Sequence, residues 1–537
     1  MSLRNKVQGM VVVCVAVLVG VGVVALPAAP AVSQGVLIGT FDLGPGGAPG
    51  ARPYNNTAGN TWLMKIWSPL VSFNQDINGL APQLAVRWQA NAGATTWTFT
   101  LRPNVKWQDG APFDATDVKF TLELALNPAF GWRYEPGLTN LLVGASAFAK
   151  GQAKEIDGIK ITGPLTVEFS LTQADPRFPY RLLWAYILPA HILKGQDPAQ
   201  LARSNWFMTQ PIGTGPWKVA RYLEDQYQDT VPNQYYWNGV PHLAHLINRY
   251  INDQTAATIA LQRGEIQFAY TDPDVAAQLK TNLALRILSG SSFTSNYISL
   301  NMRNKRFQDP RVREALLAAI DRPTIVHNVF KDTAYMAPCD LPEKQFWPAN
   351  VKTYPYNPAH ARDLLRAAGW TSDPVTLWTY YDSQQQKDAL QAMQQYLAQV
   401  GVMVTPSVMD VPAYNARYYT GVGWDASYRG AGIAFGQSPR FYVLASAQTQ
   451  DGKPWGGWDD PRLPSVVEAS ERASSDRDYT QGMQAVCAYE AETLFELPLW
   501  VGFRYGVVST TVRNFYWYPA PSGGPYEDHS ERWERMP

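Results

Sequence analysis

Charge of one sign is the first thing this chain lacks. Its 45 Lys and Arg residues are matched by 45 Asp and Glu, so nothing argues for a nucleic acid or an acidic polymer as partner. Histidine is scarce: His191, His242, His245, His327, His360 and His529. Only His242 and His245 sit close together, and no cysteine or carboxylate completes a ligand set around them, so no metal is expected. There is no Gly-rich phosphate loop after a strand pattern and no G-x-S-x-G elbow. These absences remove the usual phosphate-binding and nucleophile-elbow enzymes, and no cofactor is expected. Tandem repeats are absent too. After Leu26 no apolar run is long enough to span a bilayer.

What is present begins with a targeting pattern. Arg4 and Lys6 precede an apolar run from Met10 to Leu26, followed by Ala29-Pro30-Ala31, a small-x-small cleavage site. We expect a signal peptide over residues 1–31, cut near Ala31, with an uncleaved anchor as the alternative. Cys14 is no lipid anchor on this reading, because the apolar run continues well beyond it. The remaining cysteines, Cys339 and Cys487, enter an oxidising compartment if the chain is exported. A disulfide and two buried thiols are both open, since sequence does not reveal their Cα separation. At 537 residues the chain is too long for one ordinary core, and two or three lobes are expected. The 19 tryptophans and 28 tyrosines are suited to an aromatic-lined binding surface, though a core absorbs many of them.

Local patterning is clearest between Ala81 and Phe120. Thr96 to Leu101 alternates, with Trp97, Phe99 and Leu101 on one face and threonines on the other, a half-buried strand. Asp109-Gly110 marks a turn. Asp114 offers an N-cap, Asp117 lies in the first turn, and Val118, Leu122 and Ala125 form the apolar stripe of the helix that follows. Further on, Ile159/Ile161 and Val167/Phe169/Leu171 flank Gly163-Pro164 as a hairpin. Gly213, Gly215 and Pro216 fit a turn whose backbone passes close to a neighbour. Asp309 caps a helix with Pro310 in its first position and Val312, Leu316, Ala319 and Ile320 on its buried stripe. Val375–Tyr380, Gln384–Val400 and Met403–Met409 then read strand, helix, strand, an α/β lobe.

These same segments carry a resemblance. PQLAVRW followed by TFTLRPNVKWQDGAPFDATDVKF resembles the signature of the extracellular solute-binding proteins of ABC importers known as family 5. Trp107 stands where the family often has Phe, and Gln108 where it often has His. PIGTGPWKV with NQYYWNGVPHLAHLI, then SNYISLNMRNKRFQDPRVREALLAAIDR, YNPAHARDLLRAAGW and ELPLWVGFRYGVVST are similar to later blocks of that family, in the same order. The resemblance implies a mixed-sheet α/β fold of the periplasmic-binding-protein type. Two lobes are joined by a two-segment hinge, and an extra domain is inserted near the N-terminus. Residues 32–78, 205–285 and 505–537 would form the first lobe, 79–204 the inserted domain and 286–504 the third lobe. Asn60–Phe73, with Leu63, Ile66 and Trp67 at helical spacing, would hold a helix and the first crossing into the inserted domain. His191 would be structural.

The resemblance further implies a non-enzymatic, exported or periplasmic binding protein, monomeric, that delivers its solute to a membrane permease by an open-to-closed transition. Residues 410–460 should decide the solute. Gly423-Trp424-Asp425-Ala426 resembles the strand leading into the cleft. Peptide-binding members follow it with an aspartate that holds the ligand's α-amino group, whereas this chain reads Tyr428-Arg429-Gly430-Ala431-Gly432. Gln437 to Tyr442 is closer to the "P-x-x-F-Y" of oligosaccharide-binding relatives. The expected ligand is therefore an oligosaccharide, with an oligopeptide as the close alternative. Trp424, Tyr428, Arg429, Phe441, Trp455 and Trp458 supply stacking faces and planar donors for it. Tyr297 qualifies from its family position, and Asn55, beside Tyr54, from the first loop. A reading from another class is a secreted glycosidase. Its two carboxylates would face each other roughly 5 to 9.5 Å apart, and the adjacent Asp459-Asp460 pair does not supply them.

Overall fold

A computed structural model describes residues 33–41, 54, 60–131, 137–251, 253–432, 456–518 and 527–536. The expectations for the export segment, Asn55, Phe441, Trp455 and the Gln437–Tyr442 motif fall outside these residues.

The alternating segment Thr96–Leu101 is a strand that buries Trp97, Phe99 and Leu101. It is central in a four-stranded antiparallel sheet, between Ala85–Ala90 and Thr166–Ser170, with Ile159–Gly163 at the far edge. The helix Ala115–Ala125 starts where Asp114 accepts a hydrogen bond from the Thr116 N–H, and Asp117 closes a capping box onto the Asp114 N–H. Asp117 also accepts from the Trp107 indole at 3.2 Å and from the Ala190 N–H at 2.9 Å, which ties the turn, the helix and the distant His191 segment together. His191 itself lies 2.8 Å from Asp109 and against Trp107, a structural placement.

The second Gly-rich block docks on the first. Gln108 donates to the Trp217 carbonyl at 2.7 Å and accepts from the Gly213 N–H at 3.0 Å. A Cβ on Gly213 would stand 1.9 Å from the Ile66 carbonyl oxygen, and the Gly215 N–H bonds that same oxygen at 2.9 Å. Only glycine allows so close a passage. The segment Asn60–Phe73 is helical only over Asn60–Ile66 and becomes a strand at Val71–Phe73; Pro69 lacks the amide a continuing helix needs.

Most other strands join one eleven-stranded mixed sheet. Its order from one edge is Val404–Val408, Val375–Thr379, Ala426–Ala431, Leu285–Leu300, Glu496–Ser509, Phe268–Thr271, Ser33–Thr40, Leu243–Arg249, Tyr227–Pro232 and Trp217–Leu223, with Ala334–Met336 added to Glu496–Ser509. The sheet serves two lobes. One half packs with the four-stranded sheet into a core containing Leu37, Trp62, Trp107, Trp217 and Trp533. The other half packs under Pro310–Ala318, Pro358–Ala367 and Gln384–Ala398 around Ile298, Leu316, Met393 and Tyr428. Leu285–Leu300 and Glu496–Ser509 are the two strands shared by both halves, which makes the two-segment hinge. Cys339 and Cys487 form a disulfide, resolving the alternative left open by the sequence.

Candidate functional site

Sheet register locates the junction between the two halves of the large sheet. The two shared strands pair continuously from Leu285↔Ser509 to Ser291↔Phe503, then resume at Ser295↔Val501. Residues 292–294 thus face only Gly502, and Phe293 takes a left-handed φ of 51°. At this break the pairing partners also change. Before it, Glu496–Ser509 pairs with Phe268–Thr271, up to Thr271↔Tyr505; beyond it, Leu285–Leu300 pairs with Ala426–Ala431, up to Ser295↔Ala431. The parallel strands Ser33–Thr40 and Phe268–Thr271 run toward the break from one lobe, and Ala426–Ala431 runs toward it from the other. Both sets therefore end, by their carboxyl ends, at the junction, where open α/β sheets bind ligands. Apolar side chains from five parts of the chain cluster there: Phe73, Leu183 and Trp184, Tyr270, Phe293 and Trp517.

On the third-lobe side a polar layer covers one face of the sheet. Tyr297 and Arg429 are directly opposed across Leu285–Leu300 and Ala426–Ala431, as are Ser299 and Ser427. The helix Val411–Tyr418 lies over them. Tyr414 shares a hydrogen bond with the Ser427 hydroxyl at 2.6 Å, and Tyr418 donates to Ser299 at 3.0 Å. The Arg429 guanidinium stands 4.4 Å over the Tyr418 ring, with Tyr297 and Tyr419 at 5.9 and 5.8 Å, close enough for cation–π attraction. Glu496, opposite Ser299, begins a buried acidic group with Asp340 and Glu490. Glu490 accepts from the Asp340 N–H at 3.0 Å. Burial, with a smaller push from Glu496, raises the Glu490 carboxyl to about 8. Burial and the facing Glu496 likewise raise Asp340, because burial disfavours the charged form.

The expected site residues do not form one surface. Tyr297 and Arg429 come together as described, both buried. Trp424 joins them only through Tyr418, on which it stacks at 4.8 Å inside a cluster with Trp378 and Tyr414. Tyr428 points through the opposite face into the lobe core, fully buried, its hydroxyl donated to Gln386. Trp458 lies elsewhere: its indole donates to the Tyr489 hydroxyl at 2.7 Å and its ring stacks on Phe495 at 5.7 Å. Tyr54 is buried and donates to the Tyr186 carbonyl at 2.6 Å. Sequence reasoning passed over Tyr414 and Tyr418, whose i, i+4 spacing behind the Asp410 cap puts both rings on one helix face. It also missed Asp340, Glu490 and Glu496, which no local pattern links. His242 and His245 face Glu534 and Asp229 separately. Among the described residues no three His, Cys, Asp or Glu are placed to share a metal.

Comparison with known proteins agrees with this geometry. The model of the bacterial extracellular solute-binding proteins, family 5, matches residues 79–453. A putative ABC transporter peptide-binding protein of Brucella ovis is 35% identical over 516 residues, 94% of this chain and 95% of its own length. The glutathione-binding protein GsiB of Salmonella paratyphi A is 32% identical over 378 residues, 66% of this chain and 70% of its own. Among solved structures, the oligopeptide-binding protein AppA of Bacillus subtilis, in complex with a nonapeptide, superposes with a TM-score of 0.79 at 21% identity, over 94% of this chain and 99% of that one.

Proposed function

This chain belongs to the bacterial extracellular solute-binding proteins of family 5, and from that premise we propose that the solute it binds for its ABC importer is a short peptide. Members of the family bind solutes for transport and are not enzymes, so the glycosidase reading falls away. The oligosaccharide expectation is corrected in favour of its alternative. It rested on a short motif beyond the described residues and on aromatic side chains of which Tyr428 and Trp424 fill the lobe interior. The observation that carries the peptide reading is the near full-length likeness to proteins named as peptide-binding.

The peptide lies at the break in the sheet ladder, between the ends of Ser33–Thr40 and Ala426–Ala431. There an extended ligand can lie along the sheet as an added strand does. Tyr297 and Arg429, with Tyr418, back this place on the third-lobe side; Phe441, Trp455 and Asn55 stay proposed contacts that lie outside the described residues. Ligand shifts the population from open to closed, and the permease reads closure. No described helix is long and apolar enough to cross a membrane.

Thermal melting tests the ligand class. Tri- to pentapeptides, glutathione and plant-type oligosaccharides are added to the purified protein in separate pools. A ligand at about a hundred times its dissociation constant stabilises the native state by roughly 2.7 kcal/mol, a visible rise in Tm. We expect the rise with a peptide pool. A rise with sugars alone would reject the proposal and restore the first expectation. Small-angle scattering on the same samples gives the mass, expected for one chain, and a contraction when the active pool is added.

A further inference from the structure

The inserted domain also touches the third lobe through the segment that follows its four-stranded sheet. The segment from Asp175 to Trp184, which leaves the four-stranded sheet, lies against the helices Leu463–Glu471 and Asp476–Thr493. Both Arg177 terminal nitrogens bond the same Asp476 oxygen, at 3.2 and 3.1 Å. Its guanidinium lies 3.9 Å over the Tyr479 ring and 5.0 Å from that of Tyr180. Arg181 donates to Asp175 at 2.5 Å and reaches 3.8 Å from Glu471. Asp175 in turn accepts from the Arg177 N–H at 2.9 Å. Tyr180 packs on a small third-lobe core made of Cys339, Leu341, Phe346, Tyr479, Met483 and Cys487.

We infer that Arg177, Arg181 and Tyr180 form a latch that holds the two lobes closed over the ligand. The inference rests on the solute-binding reading above and assigns it a mechanical part. These residues and their partners belong to bodies joined through Leu285–Leu300 and Glu496–Ser509, so a hinge movement that separates the lobes must break the contacts. Their free energy is therefore present in the closed state and absent from the open one, the condition for biasing such an equilibrium. The disulfide is part of the latch. Tyr479, Met483 and Cys487 follow one another at i, i+4 and i+8 on one helix, so the Cys339–Cys487 bridge anchors the stripe on which Arg177 and Tyr180 rest. Chemistry divides the latch in two. The Asp476 side chain is 73% exposed, so its pairing with Arg177 is screened by salt. Arg177 stacking on Tyr479 is not.

Asp476→Asn and Arg177→Ala test this, with Asp476→Glu as the conservative control. Asp476 is exposed, so its variants should melt with the parent protein and keep the test valid if Arg177→Ala is poorly folded. Scattering is recorded without ligand at low and high salt, and the dissociation rate of a bound peptide is measured by stopped flow. We expect Asp476→Asn to enlarge the ligand-free radius at low salt and to speed dissociation several-fold. High salt should reproduce the effect in the parent protein, and Asp476→Glu should restore parental behaviour. An unchanged ligand-free radius together with an unchanged dissociation rate would overturn the latch. Should no peptide bind at all, the peptide reading fails while the ligand-free scattering still decides the latch.

Discussion

The buried acids are the residues whose chemistry departs furthest from the ordinary. Glu490 is held at about 8 mainly by burial, with Glu496 adding to the rise and the Asp340 N–H opposing it. Its facing groups are Asp340 and Glu496, with Arg429 beyond them. A carboxyl that titrates higher folded than unfolded takes up a proton on folding, so its penalty is absent below the unfolded value and grows as pH rises toward the folded one. Stability should thus fall between roughly pH 4.5 and 8, the window set by those two values. Glu490→Gln keeps an acceptor for the Asp340 N–H and removes the titration. Its Tm should be lower than or near the parent's at pH 5 and several degrees higher at pH 8.5. Parallel Tm curves for the two proteins across that range would place the titration elsewhere. None of this was legible from the sequence, because each acid sits in a different segment and only the fold brings them together. Gly213 is the opposite case. Gly-x-Gly-Pro announced a close backbone passage, and the partner it passes is the Ile66 carbonyl.

Elements were legible where one local rule decided them. The strand Thr96–Leu101 has the bounds its alternation gives, and the Asp114 and Asp309 caps start their helices as spelled. The site was less legible because neighbours in sequence were taken as neighbours in space. In a strand, successive side chains point to opposite faces, so Tyr428 and Arg429 could not both line one cleft. Pairing through Ser299↔Ser427 and Tyr297↔Arg429 sets which residue goes where, and that register is not written in either strand alone. The disulfide acts at the same scale, fastening the Asp476–Thr493 helix to the segment after Ala334–Met336. It spans 148 residues, a long loop, and losing such a bridge costs about 2 to 5 kcal/mol. A Cys339→Ser/Cys487→Ser double variant should melt several degrees lower, and reductant should move the parent protein to the same Tm. A parent protein indifferent to reductant would mean that the bridge adds nothing to the folded state.

At the scale of the molecule, sequence blocks in the right order sufficed for the fold, whereas the solute depends on loops whose lengths and conformations no periodic rule governs. What the fold does add is the position of the hinge. Before the ladder break Glu496–Ser509 is held by Phe268–Thr271, and beyond it Leu285–Leu300 is held by Ala426–Ala431, while Ala334–Met336 pairs with Trp500 to Gly502, so rotation there would cost hydrogen bonds. Residues 292–294 of Leu285–Leu300 are free of such pairing, while Gly502 opposite them pairs only on its other side, with Ala334, and φ/ψ change concentrates where pairing is interrupted. Gly502 faces open space, with no heavy atom within 4 Å of a Cβ built on it. Gly502→Val should therefore fold normally, since no neighbour is displaced, while its β-branched side chain restricts the backbone. We expect a Tm within about 1 °C to 3 °C of the parent and a several-fold slower closing phase after peptide addition, followed by tryptophan fluorescence. The slow phase should lengthen in both directions, so that peptide affinity changes less than either rate. A variant that closes at the parental rate would move the hinge away from the break, and with it the reason for placing the ligand there.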